Sequence, residues 1–284
     1  MCTLIAVHGL NLKTHEDFID LILFVKHDAT ISRQKLVEQL NEAHSSWLSP
    51  AGDSADRALE IAIRAWLMVD IEEWTATQTL QEFIHHIFPK RETILDIPSF
   101  DLEFNGYNLE KIGGFDIIWT EFIQEHLSLS SKQNRKELKI FHLASFLQSH
   151  QRSDDCYSQI FPPGFLEETA QTLALLFPAS HLACRKWVRR MQRNENLDLE
   201  AGIIPPAPRN ISQYGYWGPQ LLALKEEYDS TEPTTIRQWL FDKRRPNQRY
   251  TSWIAVTALV LTLVFGLIQS VTGIVQAVAT VRSG

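Results

Sequence analysis

Hydrophobic and polar positions recur with the period of an amphipathic helix along much of residues 1–193. The clearest case is residues 55–69, where apolar side chains share one face and charged side chains occupy the other. Thr79 and Glu82 form a capping-box pattern that begins another helix. The same spacing predicts further helices near residues 18–25, 36–40, 165–177, 183–193 and 220–228.

Between these helices, apolar positions alternate with a period of two at residues 102–104, 115–119 and 138–140, which predicts short strands. Asn105-Gly106 and Gly113-Gly114 are turn signals beside them. We therefore predict a mainly α fold with a small β element. The predicted organisation is a helical soluble domain (1–193), a linker with the last soluble helix (194–232), a basic and aromatic juxtamembrane segment (233–252) and a transmembrane helix (253–281).

Residues 253–281 form an apolar run that contains no Asp, Glu, Lys, Arg or His. As a helix this run is about 43 Å long, and a tilted helix of that length crosses a hydrocarbon core about 30 Å thick. The alternative is a helix buried in the core of a soluble protein. We predict a transmembrane helix with the lipid bilayer as its partner.

Flanking charge predicts the orientation of this helix. Basic residues are concentrated just before it and Arg282 alone follows it, so the positive-inside rule keeps the N-terminal domain cytosolic. Residues 1–9 lack the basic start and long apolar stretch of a signal peptide, which favours a tail-anchored protein of the endoplasmic reticulum or the mitochondrial outer membrane. The predicted membrane-interface anchors are Lys243, Arg244, Arg245, Arg249, Tyr250 and Trp253.

Small and polar residues form a stripe along the apolar run. They recur at alternating spacings of four and three, so they lie within about 40° of one line on a helix. Glycines let another backbone approach closely, and glutamine amides in hydrocarbon need hydrogen-bonding partners. We predict a helix–helix interface, with a membrane partner or with a second copy of the chain, formed by Thr262, Gly266, Gln269, Gly273, Gln276 and Thr280.

Composition narrows the possible functions. The segment from Pro246 onward carries two arginines and no acid, so the net charge of −7 becomes −9 for residues 1–245. An acidic domain argues against nonspecific nucleic-acid binding. Three widely spaced cysteines indicate reduced thiols. His85 and His86 are adjacent and point away from each other on a helix, and no motif for a metal, phosphate or other cofactor occurs, so none is predicted.

Two fragments are compatible with an esterase. Residues 7–11 are similar to the turn after an early strand of α/β-hydrolases, and residues 52–55 are similar to a nucleophile elbow with Ser54 as nucleophile. However, Asp56 stands where the elbow needs a glycine, and no apolar strand precedes Gly52. The alternative, which we favour, is a polar loop in which Ser54 caps the following helix.

The helix around Trp187 carries a basic face. Two interpretations stay open: contact with an anionic membrane surface, or a solvated face that balances an acidic domain. The latter is favoured from the sequence. The basic residues are Arg185, Lys186, Arg189, Arg190 and Arg193.

The chain contains several distinctive motifs, among them residues 62–69, residues 169–178 and the tail segments 235–245 and 261–276. These motifs resemble those of a family of uncharacterised filamentous-fungal proteins. In that family a tryptophan-rich, Asp-Arg-Arg-like motif leads into a C-terminal helix that ends in Gly and Gln; here Asp242-Lys243-Arg244-Arg245 takes the place of the motif. The resemblance implies a membrane-associated protein and brings no activity with it. The segments are residues 62–69, 118–120, 125–127, 169–178, 235–245 and 261–276.

The sequence as a whole predicts a single-pass, tail-anchored protein whose cytosolic domain binds or scaffolds other proteins. The first alternative is a membrane-acting effector whose tails oligomerise and perturb the bilayer. The second is a degenerate α/β-hydrolase-like esterase.

Overall fold

The computed structural model confirms a mainly α fold with a small β element. It describes residues 10–12, 14–48, 53–91, 99–132, 135–152, 160–195, 197–199, 207–231 and 246–283, without the side chains of 151–152, 246–252 and 275–283. The chain divides into two compact units, Met1–Ser230 and Thr231–Gly284.

Two helices of the first unit begin at a capping box. Thr14 and Asp17 form a capping box at the start of α1, and Thr79 and Glu82 form another at the start of α4. Each box satisfies backbone N–H groups that have no partner within the helix. The described helices of this unit are α1 (His15–His27), α2 (Arg33–Ala43), α3 (Ser54–Leu67), α4 (Leu80–Ile87), α5 (Gly106–Lys111), α6 (Ala144–Arg152), α7 (Phe165–Leu176), α8 (Leu182–Glu195) and α9 (Gly218–Ser230).

Three strands form the β element in the order β1-β3-β2. Strand β1 (Phe115–Thr120) pairs in parallel with β3 (Arg135–Phe141), and β2 (Leu129–Lys132) pairs antiparallel with β3. The predicted strands at 115–119 and 138–140 therefore exist. The strand predicted at 102–104 is wrong, because this stretch is the turn that leads into α5.

Side-chain caps explain that turn. The Asp101 carboxylate accepts a hydrogen bond from the Phe104 N–H at 2.8 Å. The Asn105 side chain is the N-cap of α5 and accepts from the Asn108 N–H at 3.0 Å. The Asn105-Gly106 pair thus starts a helix instead of closing a hairpin, since short polar side chains satisfy the first N–H groups of a helix.

One hydrophobic core holds the first unit together, and its residues extend along the chain from Leu10 to Tyr228. The described parts of residues 194–232 contribute to it: Ile211, Trp217 and Leu221 are buried with the helices of the preceding sequence. Every described residue of this core belongs to the first unit.

Candidate functional site

The apolar tail is a single helix, α10 (Pro246–Ser283). Its segment Trp253–Ile274 spans 22 residues, is long and apolar enough to cross a membrane, and has no buried residue. It is the one such helix among the described residues. The alternative of a core helix requires burial inside the protein, and this helix lacks that burial.

Large apolar side chains cover the surface of this segment. Phe265 is 60% exposed, Leu267 is 68% exposed and Ile268 is 53% exposed. A soluble monomer rarely presents so large an apolar surface to water, and such a surface indicates contact with lipid or with another protein. Only the length and the composition of this helix support a membrane-spanning role.

The predicted stripe lies on the open surface of α10. A Cβ atom added at Gly266 or at Gly273 meets no other heavy atom within 4 Å. The Thr262 hydroxyl donates to the Ala258 carbonyl at 2.8 Å, so it is satisfied within the helix. The Gln269 side chain is exposed and makes no hydrogen bond with the described residues. The side chains of Gln276 and Thr280 lie outside the described part.

The predicted interfacial anchors are only partly described. Lys243, Arg244 and Arg245 lie outside the described residues. Arg249 and Tyr250 belong to α10, and their side chains are not described. Trp253 is 46% exposed at the start of the apolar segment. The basic segment therefore stays a prediction from the sequence.

Helix α8 has a fixed orientation in the first unit. The Trp187 ring lies 6.0 Å from the Phe177 ring and 6.2 Å from the Trp119 ring of β1, measured between centroids. Its indole N–H donates to the Glu110 carboxylate at 2.5 Å. The His181 ring caps the helix by accepting a hydrogen bond from the Cys184 N–H at 3.1 Å. These contacts bury one face of α8 and direct its basic face outward.

A buried polar cluster connects α7 to the segment that enters α9. Glu168 is 8% exposed, and its carboxylate accepts hydrogen bonds from the N–H groups of Gly215 at 2.9 Å, Tyr216 at 2.7 Å and Trp217 at 2.7 Å. Burial raises the pKa of the Glu168 carboxyl above its usual value, against the three N–H donors and the Lys90 ammonium group, which lower it. No local pattern in the sequence predicts this cluster, because its partners lie 47 to 49 positions apart along the chain.

His126 continues this cluster on the other side of Trp217. Its Nε2 lies 2.7 Å from the Thr172 hydroxyl, and its Nδ1 accepts from the Phe141 N–H at 3.2 Å. Thr172 in turn donates to the Thr169 carbonyl, so Nε2 is the protonated ring nitrogen. Burial lowers the pKa of His126 to about 3. Every polar atom of this ring is satisfied in the neutral form, which is the arrangement of a structural histidine.

Ser54 does not occupy a nucleophile elbow in the described structure. It is the first residue of α3 and only 5% exposed, while Asp53 is the N-cap residue, so the expectation that Ser54 caps the helix is wrong. The described strands all lie between residues 115 and 141, and none precedes Ser54. Asp53 also contacts the Arg57 guanidinium at 3.6 Å. A strained strand-to-helix turn that exposes a serine is not formed by these residues.

The described ranges contain no assembled metal site. No group of three or more His, Cys, Asp or Glu side chains there is placed to hold a metal ion. His85 and His86 are exposed neighbours at the end of α4. Cys184 is buried, which raises the pKa of its thiol to about 11 and makes it a poor nucleophile.

Compared with known proteins, the chain matches no family model, no curated protein and no solved structure. Its resemblance to the fungal family therefore stays a prediction, and the function rests on the chain's own geometry.

Proposed function

We propose that this chain is a single-pass, tail-anchored membrane protein whose cytosolic domain binds or scaffolds other proteins. The observation that carries the proposal is the helix Trp253–Ile274, which is apolar over 22 residues and unburied. The concentration of basic residues on its N-terminal side supports a cytosolic domain. The apolar pair Ile19 and Leu23 on α1, 54% and 52% exposed, supports a binding surface.

Membrane integration is tested by alkaline carbonate extraction of the full chain expressed in cells. An integrated helix stays in the membrane pellet, because carbonate removes proteins that are held by charge or by protein contacts. The matched control carries Leu263→Lys and Leu267→Lys, which place two charges in the middle of the apolar segment at about 2.5–3.5 kcal/mol each. Release of the unaltered chain into the supernatant would contradict the anchor.

A glycosylation sequon in the chain can report the orientation of the protein in the membrane. Asn210-Ile211-Ser212 is a glycosylation sequon whose Asn210 side chain is exposed. In a cytosolic domain it stays unmodified, whereas a second sequon appended after Gly284 becomes glycosylated when the tail inserts into the endoplasmic reticulum. A glycosidase-sensitive mass shift that Asn210→Gln abolishes would show the opposite orientation. An unmodified appended sequon in carbonate-resistant protein favours the mitochondrial outer membrane, which proximity labelling tests directly.

The stripe on α10 favours a second element of function, self-association of the tails. Gly266 and Gly273 open onto free space, so Gly266→Leu with Gly273→Leu adds bulk without a clash inside the helix. The expected result is loss of crosslinked oligomers in the membrane. Val264→Leu with Val271→Leu is the matched control, because it adds bulk at the same spacing on the opposite face. Equal crosslinking in both variants would refute an interface on this stripe.

Leakage separates an anchor from a membrane-acting effector. Vesicles that contain the full chain and an encapsulated dye retain the dye if the tail only anchors the domain. Release that depends on the two glycines would favour the effector. For the esterase alternative, the corresponding test is labelling by a fluorophosphonate probe that Ser54→Ala abolishes.

A further inference from the structure

The structure assigns a second membrane contact to the chain: we propose that the basic face of α8 docks on the anionic lipid headgroups of the leaflet that faces the domain. This inference rests on the proposed anchoring, which brings the domain to a membrane. The basic face consists of Arg185, Lys186, Arg189, Arg190 and Arg193.

The five cations form one continuous face. At 100° per residue they lie within an arc of about 140°, and all five are exposed. The buried residues Cys184, Trp187 and Val188 lie on the opposite side, where ring contacts hold them against the core. The basic face is therefore fixed outward by packing and does not depend on the rotation of a loose helix.

Several cations on other helices of the domain form ion pairs with acids. On α3, Arg57 and Arg64 pair with acids four residues away, and on α9 Lys225 pairs with Asp229 at 2.6 Å. On α8, no described carboxylate forms an ion pair with any member of the basic face. A solvated face that merely balances an acidic domain would gain from such pairs. Unpaired cations at this density match a polyanionic surface.

Leu182 gives the face an apolar element. It lies within the arc of the basic residues, at the first position of α8, and is 55% exposed. A helix that rests on a bilayer combines cations with an apolar side chain that enters the headgroup region. Leu182 has no such role on a surface that contacts only water.

Chain length keeps the domain close to a bilayer that holds the tail. Fourteen residues, 232–245, join Thr231 to Pro246, and this length of chain extends to at most about 50 Å. Tethering at this range converts a weak surface contact into an intramolecular one with a high effective concentration. A weak electrostatic contact is therefore sufficient.

Charge distribution favours lipid over nucleic acid as the occupant. Residues 1–245 carry a net charge of −9, so a long polyanion that runs across the domain meets repulsion beyond α8. A bilayer is flat and contacts one face at a time. Each basic residue near an anionic leaflet contributes about 1 kcal/mol, which is about fivefold in the partition coefficient.

The first experiment footprints arginines in the full chain by phenylglyoxal modification and mass spectrometry, after reconstitution into vesicles. The vesicles contain phosphatidylcholine alone or with about one third phosphatidylserine, and carbonate-resistant insertion is confirmed in both. Protection of Arg189, Arg190 and Arg193 only in the anionic vesicles supports docking. Arg57 on α3, 46% exposed at its side chain, is the internal control that stays reactive in both. Equal reactivity of the α8 arginines in both vesicles overturns the proposal while the anchor stands.

The second experiment removes the tail. Residues 1–231, which contain every described residue of the core, are floated with the same vesicles, and an unchanged thermal transition checks that each variant is folded. Arg189→Glu with Arg190→Glu lowers binding to the anionic vesicles at least about 25-fold, whereas Arg57→Glu leaves it unchanged. Binding that is insensitive to the double reversal, or tighter binding to a single-stranded RNA oligonucleotide than to the vesicles, overturns the proposal.

Discussion

Replacing Glu168 with alanine is the sharpest test of how the domain is built. The substitution removes an acceptor from three N–H groups, at Gly215, Tyr216 and Trp217, and the last two belong to buried residues. A hydrogen bond to a charged group contributes about 1.5–3 kcal/mol. Because the three bonds share one carboxylate whose burial is costly, we expect a loss of about 3–5 kcal/mol in the free energy of unfolding.

The assay is urea unfolding of residues 1–231 followed by tryptophan fluorescence, since Trp217 lies within the affected segment. Glu167→Ala is the matched control: Glu167 shares the first turn of α7 but is exposed, so its loss changes stability by at most about 0.5 kcal/mol. Glu168→Gln keeps the shape and leaves one acceptor oxygen for the Tyr216 and Trp217 N–H groups, but it places an amide N–H₂ against the Gly215 N–H, so its cost lies between the two. An equal effect of Glu168→Ala and Glu167→Ala would refute the reasoning.

The pH dependence of the same residue has a defined sign. The folded-state pKa of Glu168 is raised above the usual value of 4.5. Between these two values the folded protein holds a proton that the unfolded chain has released. The contribution of Glu168 to stability therefore falls as the pH rises through this window, and Glu168→Gln removes that fall.

Three further predictions follow from other buried or capping groups. Burial lowers the pKa of His126 to about 3, so the free energy of unfolding falls as the pH drops from about 6.5 toward 3, by up to about 1.4 kcal/mol per pH unit. We expect His126→Gln to flatten this slope when the urea midpoint is measured as a function of pH. An unchanged slope would contradict the prediction. Thr79→Ala removes the capping box of α4 and costs about 1 kcal/mol in the same urea assay, and a change below about 0.3 kcal/mol would show that the cap is dispensable. The buried Cys184 resists iodoacetamide in the folded chain and reacts after unfolding, as peptide mass spectrometry detects; rapid alkylation of the native protein would show that α8 is not packed as described.

Local rules predicted the elements whose stabilising contacts are local. The capping box at Thr79 and Glu82 and the amphipathic pattern of α3 require only neighbours in sequence, and both are present in the structure. The helix of the apolar tail was also predictable from the sequence, because an uninterrupted run of apolar residues is long enough to cross a membrane. Its partner, its orientation and the role of its stripe stay predictions.

Local sequence rules did not predict the long-range contacts or the exposed strand. Strand β2 is exposed along its whole length and includes Ser130 and Ser131, so it lacks the alternation that marks a half-buried strand. Residues 102–104 do alternate, but Asp101 and Asn105 satisfy the backbone locally and make a turn. The Glu168 cluster joins residues 47 to 49 positions apart, and neither composition nor periodicity records such a pairing.

The position of the Glu168 cluster next to α9 has a consequence for the mechanical stability of the domain. If the chain is anchored by its tail as proposed, a pull from the bilayer reaches α9 before any other described helix of the first unit, and the hydrogen bonds to Glu168 hold the residues just ahead of that helix. Tension would therefore unpack α9 first and then load the three hydrogen bonds to Glu168. The resistance of an anchored domain to extraction by an unfoldase would then depend on the packing of α9 and on these bonds.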